Sequence, residues 1–281
     1  MIIDCHVHLV HEAARQKGFK LPKGEEPVER TLFASDTIDY ELSLSHAEAL
    51  LESMDKSGID KSVILGLPWC TSGLCRENND YIAECAAKYP DKLIPLGIIQ
   101  PRDQKEALYE IERLTDGHGF KGVKVKPVWQ GFRVNDLNIM GPIAEALIRK
   151  DALLMVHVDQ LINPETHDMP YGIFDLKRNF PELNILGAHL GGLLGLYTHF
   201  KRVRDVTGAI WYDTAIPATI KMVEYAADVV PDRITFGTDF PYNIDQTQKT
   251  VLDDVKALNL APGVLEGILW KNANKMLGLG L

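Results

Sequence analysis

Eight short apolar runs recur along the chain and alternate with amphipathic stretches of helical length. Parallel strands need crossover connections, and eight strand-helix units of this kind close into a (β/α)8 barrel. The sequence therefore predicts an α/β fold of TIM-barrel type, with an open doubly wound sheet as the alternative. The predicted strands are Ile2–His6, Ser62–Leu67, Leu93–Ile98, Gly122–Lys126, Leu153–His157, Asn184–His189, Ile210–Thr214 and Arg233–Asp239.

The segments between these runs carry helix signals. Ser45 is expected to cap the first helix and Gly58 to end it. No linker or repeat divides the 281 residues, so a single domain spanning 1–281 is expected, with closing helices in residues 263–277. The predicted helices are Ser45–Ser57, Asn78–Lys88, Lys105–Thr115, Pro142–Lys150, Phe174–Asn179, Leu194–Val206, Ala218–Val229 and Gln246–Leu258.

Residues 9–43 form an unusually long connection between the first predicted strand and its helix. Connections of this length within a compact domain are usually functional or carry a small structure of their own. This one is rich in charged residues. We expect a flap-like insertion over the barrel mouth, and a solvated surface excursion is the alternative.

Charge and composition exclude several classes of partner. The formal net charge of −9 argues against nucleic acid and anionic membranes, which are bound mainly through basic patches. No run approaches the ~18 apolar residues of a membrane-spanning helix. The first residues lack a secretory signal pattern, so a cytoplasmic location and four free cysteine thiols are expected.

His6 and His8 stand two residues apart at the end of the first apolar run. Side chains on a strand alternate between its faces, so both rings project to the same side. Each neutral ring brings a polar nitrogen that costs about 1–3 kcal/mol if it is buried without a partner. The pair therefore predicts a metal site, with two hydrogen-bonded core histidines as the alternative.

Three further polar residues end predicted strands, namely His157, His189 and Asp239. The carboxyl ends of barrel strands converge on one face, where active sites of this fold are built. Imidazole and carboxylate donors suit zinc, which is the default metal expected here, and also manganese, iron or cobalt. The predicted ligands are His6, His8, His157 and Asp239, with His189 as general acid and base. A ligand of a second metal and a structural hydrogen bond are the alternatives for His189.

Seven segments of the chain match a known family, in order along nearly the whole chain: 3–8, 122–127, 156–157, 187–192, 212–214, 236–241 and 272–273. Through them the chain resembles the amidohydrolase superfamily, in the amidohydrolase 2 branch that includes aminocarboxymuconate-semialdehyde decarboxylase. The resemblance implies a distorted barrel with a metal centre, and it implies ligand roles for His6, His8, His157 and Asp239 and a catalytic imidazole at His189.

One segment departs from the pattern of this family. Relatives often have Lys-X-His-Pro where this chain has Lys124-Val125-Lys126-Pro127. Lys124 and Lys126 share one strand face, and we expect one of them to fix a substrate carboxylate as a point charge. A carboxylated Lys124 bridging two metals is one alternative, and side chains extending to the barrel rim are another.

Aromatic and cationic residues after the strand ends are further candidates for substrate binding. Trp69, Trp129 and Tyr242 can stack on a planar substrate, and Arg133 lies on the same predicted rim. Arg15 and Arg76 are candidate anion-binding residues on loops. Rim packing is the alternative for the aromatic residues, and a solvated surface position is the alternative for Arg15 and Arg76.

The leading functional interpretation is a metal-dependent hydrolase acting on a small organic acid, lactone or amide. Metal-bound hydroxide attacks a carbonyl group, and His189 or Asp239 moves the proton to the leaving group. Non-oxidative decarboxylation at the same metal site is the first alternative, and a non-catalytic barrel that binds a ligand or metal is the second. The expected partner is a small carboxylate, and base rates for enzymes suggest a homodimer.

Overall fold

The computed structural model describes residues 1–158, 170–216, 219–242 and 246–281. Most of its strands are shorter than the predicted apolar runs, because only part of each run pairs with a neighbouring strand. The third predicted strand is divided in two at Leu96. The strands are β1 Ile3–His8, β2 Lys61–Leu65, β3 Leu93–Pro95, β4 Gly97–Ile98, β5 Gly122–Val125, β6 Leu153–Val156, β7 Ile185–Gly187, β8 Trp211–Asp213 and β9 Ile234–Thr235.

Neighbouring strands pair in parallel, in the orders β1-β2-β3 and β4-β5-β6-β7-β8-β9. The Lys121 amide donates to Pro95 (3.0 Å) and joins the two sets. At the other seam, the segment after β9 bonds to β1, with the Cys5 amide donating to Phe236 (2.8 Å) and the Asp239 amide donating to His6 (2.8 Å). The predicted barrel is confirmed, and its irregular final strand is the distortion.

A register shift between Asp4 and Val7 interrupts β1. Asp4 accepts a hydrogen bond from Gln248 (2.7 Å), which begins a helix outside the barrel. Cys5 instead packs with apolar residues of the neighbouring strands, such as Leu65 of β2. A bulge of this kind re-aims the side chains that follow it, here His6 and His8.

Helices and irregular segments connect the strands. The α-helices are Glu12–Arg15, Glu26–Val28, Ile38–Leu44, Ala47–Ser57, Ser72–Lys88, Gln104–Gly117, Pro127–Gln130, Leu137–Arg149, Pro170–Asn179, Arg204–Thr207, Met222–Ala227, Gln248–Lys256, Val264–Glu266 and Asn272–Leu277. Glu29–Phe33 and Gly267–Lys271 are π-helical, and Leu194–His199 is a 3₁₀ helix. Within the described residues, no helix has the length and apolar character needed to cross a membrane.

Three helix predictions need correction. Ser45 does not cap the helix Ala47–Ser57, because its hydroxyl donates to Leu42 (2.9 Å) while the His46 ring accepts the amide of Ala49 (3.4 Å). Gly58 does end this helix, in the left-handed conformation with φ of 71°.

The predicted helix Leu194–Val206 is divided into the 3₁₀ helix and the short helix Arg204–Thr207. Arg204 donates to the carbonyls of Thr198 (2.8 Å) and His199 (3.2 Å), which a continuous helix would use for its own amides. The predicted helix Ala218–Val229 is shortened to Met222–Ala227, and its first residue lies outside the described residues.

The flap, residues 9–43, is packed onto the barrel rather than solvated throughout. Val10, Ala14 and Val28 are fully buried and belong to one apolar cluster with Trp69 and Trp129. The flap is therefore an ordered cover whose apolar side faces the carboxyl ends of the first strands.

Candidate metal centre and substrate cavity

His6 and His8 point their Nε2 atoms toward a common point above the barrel. The other ring nitrogen of each is held, since His6 Nδ1 lies 2.9 Å from Asp213 Oδ2 and His8 Nδ1 lies 2.9 Å from the Gly66 carbonyl. Both partners are acceptors, so Nδ1 carries the proton in each ring and Nε2 keeps its lone pair. Histidine ligands of metals are commonly oriented in this way, by a hydrogen bond from the ring nitrogen that does not face the metal.

Asp239 brings a carboxylate to the same point. Its Oδ1 lies 3.1 Å from His6 Nε2 and 3.2 Å from His8 Nε2. Burial alone would raise the pKa of Asp239, but its contacts with His6 and His8 lower it well below the usual value. Three acceptor atoms at these distances repel one another unless a cation lies among them. The Lys124 ammonium takes that place here, and the same set of imidazole and carboxylate donors suits a divalent cation.

Lys124 supplies the positive charge that the structure itself shows at this point. Its buried Nζ lies within hydrogen-bond distance of both imidazoles, 3.1 Å from His8 Nε2. Burial, opposed by the Asp239 carboxylate and reinforced by Lys126, lowers the pKa of Lys124 to about 8. Burial and Lys124 in turn lower the pKa values of His6 and His8, that of His8 to about 3, which keeps both rings neutral as metal ligation requires.

His189 reaches the site from an unusual backbone conformation. It follows β7 with φ of 58° and begins a turn of left-handed residues, with Leu190 at 53° and Gly191 at 65°. Its amide donates to Asp213 Oδ1 (2.7 Å), and its Nδ1 lies 2.7 Å from the Ala215 carbonyl. These bonds leave Nε2 of His189 as the nitrogen that faces the site.

His157 comes directly after β6, and its Nδ1 lies 3.0 Å from His189 Nε2. Burial and the nearby Lys126 lower the pKa of His157 well below its usual value. One ligand atom each from His6, His189 and Asp239 lies within 4.8 Å of the others. The structure thus places His189 inside the cluster of ligand atoms and His157 beside it, and the division of roles between these two histidines stays a prediction.

Asp213 is the residue of this site that the sequence reasoning missed. It is fully buried at the end of β8, where it accepts from His6, from the His189 amide and from the Ala215 amide (3.2 Å). Burial alone would raise the pKa of Asp213, but the hydrogen bond from His6 and its neighbouring charges lower it. A carboxylate at a predicted strand end was the available signal, the same one that identified Asp239.

A cavity of about 430 Å³ opens beside these donors. Four of the predicted substrate-binding residues line it: Lys124, Lys126, Trp129 and Tyr242. The Lys126 ammonium lies 4.1 Å from the centre of the Trp129 ring. The remaining lining residues described are His8, Thr31, Leu32, Leu67, Pro68, Val128, His157 and Asp239. Apolar and aromatic walls with two cations suit a small planar carboxylate.

Four other candidates lie away from this cavity. Trp69 is fully buried beneath the flap, where its Nε1 donates to Asn78 (3.0 Å), because the chain turns inward after β2. Arg133 is exposed and does not line the cavity. Arg15 donates to the Val10 carbonyl (2.9 Å), and Arg76 pairs with Glu106 (3.1 Å). The structure therefore does not place these residues at the cavity with the predicted site.

All four cysteines are free thiols, as expected from the sequence. Cys5, Cys75 and Cys85 are buried, and Cys70 is partly exposed.

A model of the amidohydrolase family, Amidohydro_2, matches residues 3–279. Three solved structures show the same fold. A dihydroxybenzoic acid decarboxylase from a Polaromonas species, with manganese and 2-nitroresorcinol, has a TM-score of 0.81 at 17% identity, covering 100% of this chain and 97% of that chain. A 5-carboxyvanillate decarboxylase from Novosphingobium aromaticivorans, with manganese and 4-hydroxy-3-methoxy-5-nitrobenzoic acid, has a TM-score of 0.79 at 18% identity, covering 99% and 96%. A 2,6-dihydroxybenzoate decarboxylase from Rhizobium has a TM-score of 0.76 at 18% identity, covering 100% and 99%.

These comparisons correct the leading functional interpretation. The expectation of a hydrolase is wrong, because the three similar structures described above are decarboxylases and favour the alternative of a carboxy-lyase. The sequence analysis placed both reactions at the same predicted metal donors, so the strand-end residues alone did not separate them. The manganese in two of these structures likewise gives no support to zinc as the default metal.

Proposed function

Because the chain belongs to the amidohydrolase family over residues 3–279, we propose that it is a metal-dependent, non-oxidative decarboxylase of a small planar carboxylic acid. One observation carries the proposal. The acceptor cluster of His6, His8 and Asp239 opens onto a cavity of about 430 Å³ that also holds Lys126 and Trp129. A cation site beside a cationic, aromatic cavity suits a substrate that is both planar and anionic.

The metal would be held by His6, His8, His157 and Asp239. Imidazole and carboxylate donors accept manganese and zinc alike, and the structures with manganese make it the first ion to test. When bound, a divalent cation supplies Lewis acidity and anchors the oxygen atoms of the substrate. Asp213 and the Gly66 carbonyl keep the two imidazoles of β1 in the orientation and tautomer that this binding requires.

The remaining roles in the proposed reaction fall to side chains in and beside the cavity. Lys126 holds an anionic group of the substrate by charge, and Trp129 and Tyr242 stack on its ring. His189 delivers a proton to the carbon that bears the departing carboxylate. The carbon-carbon bond then breaks, its electron pair returns to the substrate, and carbon dioxide leaves, so the reaction needs no oxidant or reductant. The Ala215 carbonyl holds Nδ1 of His189, so Nε2, which lies 3.0 Å from His157 Nδ1, is the nitrogen that would carry this proton and take it up again from solvent.

The test is a carbon dioxide trap run beside a hydrolysis assay, with protein reconstituted with manganese or zinc. The substrates are 2,6-dihydroxybenzoate, 5-carboxyvanillate and unsubstituted benzoate, with lactones and amides of similar size as the hydrolytic panel. We expect carbon dioxide in a one-to-one ratio with substrate consumed, abolished by a chelator and restored by metal. Hydrolysis products formed without carbon dioxide would contradict the proposal.

The matched variant for this assay is His189→Asn, which keeps a polar side chain of similar size and removes the proton carrier. We expect carbon dioxide release to fall to background. A variant with full decarboxylase activity would remove His189 from its proposed role and leave the reaction type intact.

A further inference from the structure

Glu25 is a buried carboxylate in the middle of the flap, outside the strand-end cluster. Its Oε2 accepts the amide of Cys70 (2.8 Å), and its Oε1 accepts the amide (2.8 Å) and the hydroxyl (2.7 Å) of Thr71. Cys70 and Thr71 lead from β2 into the 17-residue helix Ser72–Lys88. A buried carboxylate is costly unless it is fully bonded, and the amino end of a helix is where backbone amides compensate one. Glu25 therefore joins the flap to a fixed point of the barrel.

The flap residues that follow Glu25 lead directly into the cavity wall. The amide of Glu29 donates to the Glu25 carbonyl (3.0 Å), and the helix Glu26–Val28 and the π-helical turn that follows carry Thr31 and Leu32. Both of these residues line the substrate cavity. Displacing Glu25 would therefore displace the residues that cover the substrate.

The barrel residues that bind Glu25 are also connected to the cavity wall, through Trp129. Cys70, whose amide binds Glu25, also donates from its thiol to the Trp129 carbonyl (3.1 Å), and its own carbonyl accepts the side chain of Gln100 (2.7 Å). Trp129 lines the cavity, as Leu32 does. One carboxylate thus bonds to the segment that supports both walls.

We propose that Glu25 is a positioning residue that fastens the flap to the start of the helix Ser72–Lys88 and thereby fixes the width of the substrate cavity. The proposal rests on the proposed function only in taking this cavity as the substrate site. Glu25 does not contact the cavity itself, so its effect is exerted through Thr31 and Leu32. Its loss should weaken substrate binding more than it slows the chemical step.

The reactivity of the Cys70 thiol reports whether Glu25 holds the flap in place, and it can be measured without a substrate. Burial and the neighbouring Glu25 carboxylate raise the pKa of the Cys70 thiol to about 12. In Glu25→Gln the charge is gone and the flap is released, so both the thiolate fraction and the access to Cys70 increase. We expect iodoacetamide to label Cys70 at least about tenfold faster than in the wild type, which corresponds to one pKa unit.

The matched control is Glu26→Gln. Glu26 is the exposed neighbour of Glu25, and its side chain accepts the amide of Gly24 (3.2 Å) and does not bond to Cys70 or Thr71 within the described residues. The KM of this variant should match the wild type, and labelling of Cys70 should increase much less than in Glu25→Gln, because Glu26 raises the pKa of Cys70 less than Glu25 does. Thr71→Val is the milder second variant, since it removes one of the three hydrogen bonds and keeps the charge, and it should shift both quantities in the same direction by less.

The labelled sites are identified by peptide mass mapping, with Cys5 as the reporter of global opening because it packs inside the barrel. Faster labelling confined to the flap junction, with a raised KM and a smaller change in kcat, supports the proposal. Two results overturn it: Cys70 labelling unchanged in both Glu25→Gln and Thr71→Val, or Cys5 labelled as fast as Cys70, which would make Glu25 a support of the whole fold. If no substrate is turned over, the labelling still decides the inference.

Discussion

The two walls of the substrate cavity are built in different ways. The barrel wall includes polar side chains on strand ends, and two residues of this cluster are held by a second hydrogen bond, His6 by Asp213 and His8 by Gly66. The flap wall consists of Thr31 and Leu32 on a short irregular turn, whose side chains form no hydrogen bond to the strand-end cluster within the described part of the chain. We therefore expect chemistry that depends on charge to lie on the barrel and shape selection to lie on the flap.

Removing a ligand from the barrel wall should have the largest effect. In His157→Ala we expect metal content and activity to fall together to background, because the ion loses a donor that faces the cavity. Elemental analysis of the purified protein and the carbon dioxide assay measure the two losses. His118→Ala, at an exposed position, is the control. Full metal content in His157→Ala would refute the ligand assignment.

Replacing Asp213 should have an intermediate effect, because Asp213 holds His6 and the His189 amide by hydrogen bonds. Asp213→Asn keeps the volume of the side chain but replaces one acceptor oxygen with a donor, so His6 or the His189 amide loses its partner. We expect metal affinity or activity to fall by about 10- to 100-fold, as for other partners of metal-bound histidines. Calorimetric titration with manganese, of protein whose metal has been removed with a chelator, gives the affinity for the metal. An affinity and activity equal to those of the wild type would show that the imidazoles are oriented without Asp213.

Leu32 tests the flap wall, where the smallest effect is expected. Leu32→Ala enlarges the cavity and removes partly buried apolar contacts, which at about 0.8 kcal/mol per methylene group predicts a KM increase of a few-fold to about tenfold. Metal content should not change, and substrates with bulkier ring substituents should lose less than small ones. Steady-state kinetics on a series of substituted benzoates makes the measurement. A loss of metal in Leu32→Ala would mean that the two walls are not separable.

Much of the fold and part of the site followed from local sequence patterns. The apolar runs located the barrel strands because side chains in parallel strands are buried on both faces and leave a nearly continuous apolar signature. His6, His8, His157, His189 and Asp239 were predicted as site residues because strand ends of a barrel meet on one face. Trp69 was placed at the cavity for the same reason, but the residues after β2 turn inward beneath the flap and bury it.

Other features depend on contacts between distant segments. Asp213 bonds to His6, 207 positions away, so its role has no local signature beyond a carboxylate at a strand end. His189 and Asp239 adopt positive φ values of 58° and 60°, a conformation that non-glycine residues rarely adopt without support from their surroundings. The Asp213 carboxylate holds the amide of His189, and the His6 carbonyl holds the amide of Asp239.

The sequence by itself determined the barrel, the donor types and the strand ends that carry them, because periodicity and residue chemistry are local properties of the chain. Only the tertiary structure decided which nitrogen of each histidine faces the site, that Lys124 lies among the donors, and that Glu25 fastens the flap at Cys70 and Thr71. These features depend on hydrogen bonds between segments far apart in sequence, and barrel closure brings those segments together. The His6-Val7-His8 pair predicts the candidate metal centre, and we expect the walls around it to set what that centre can bind.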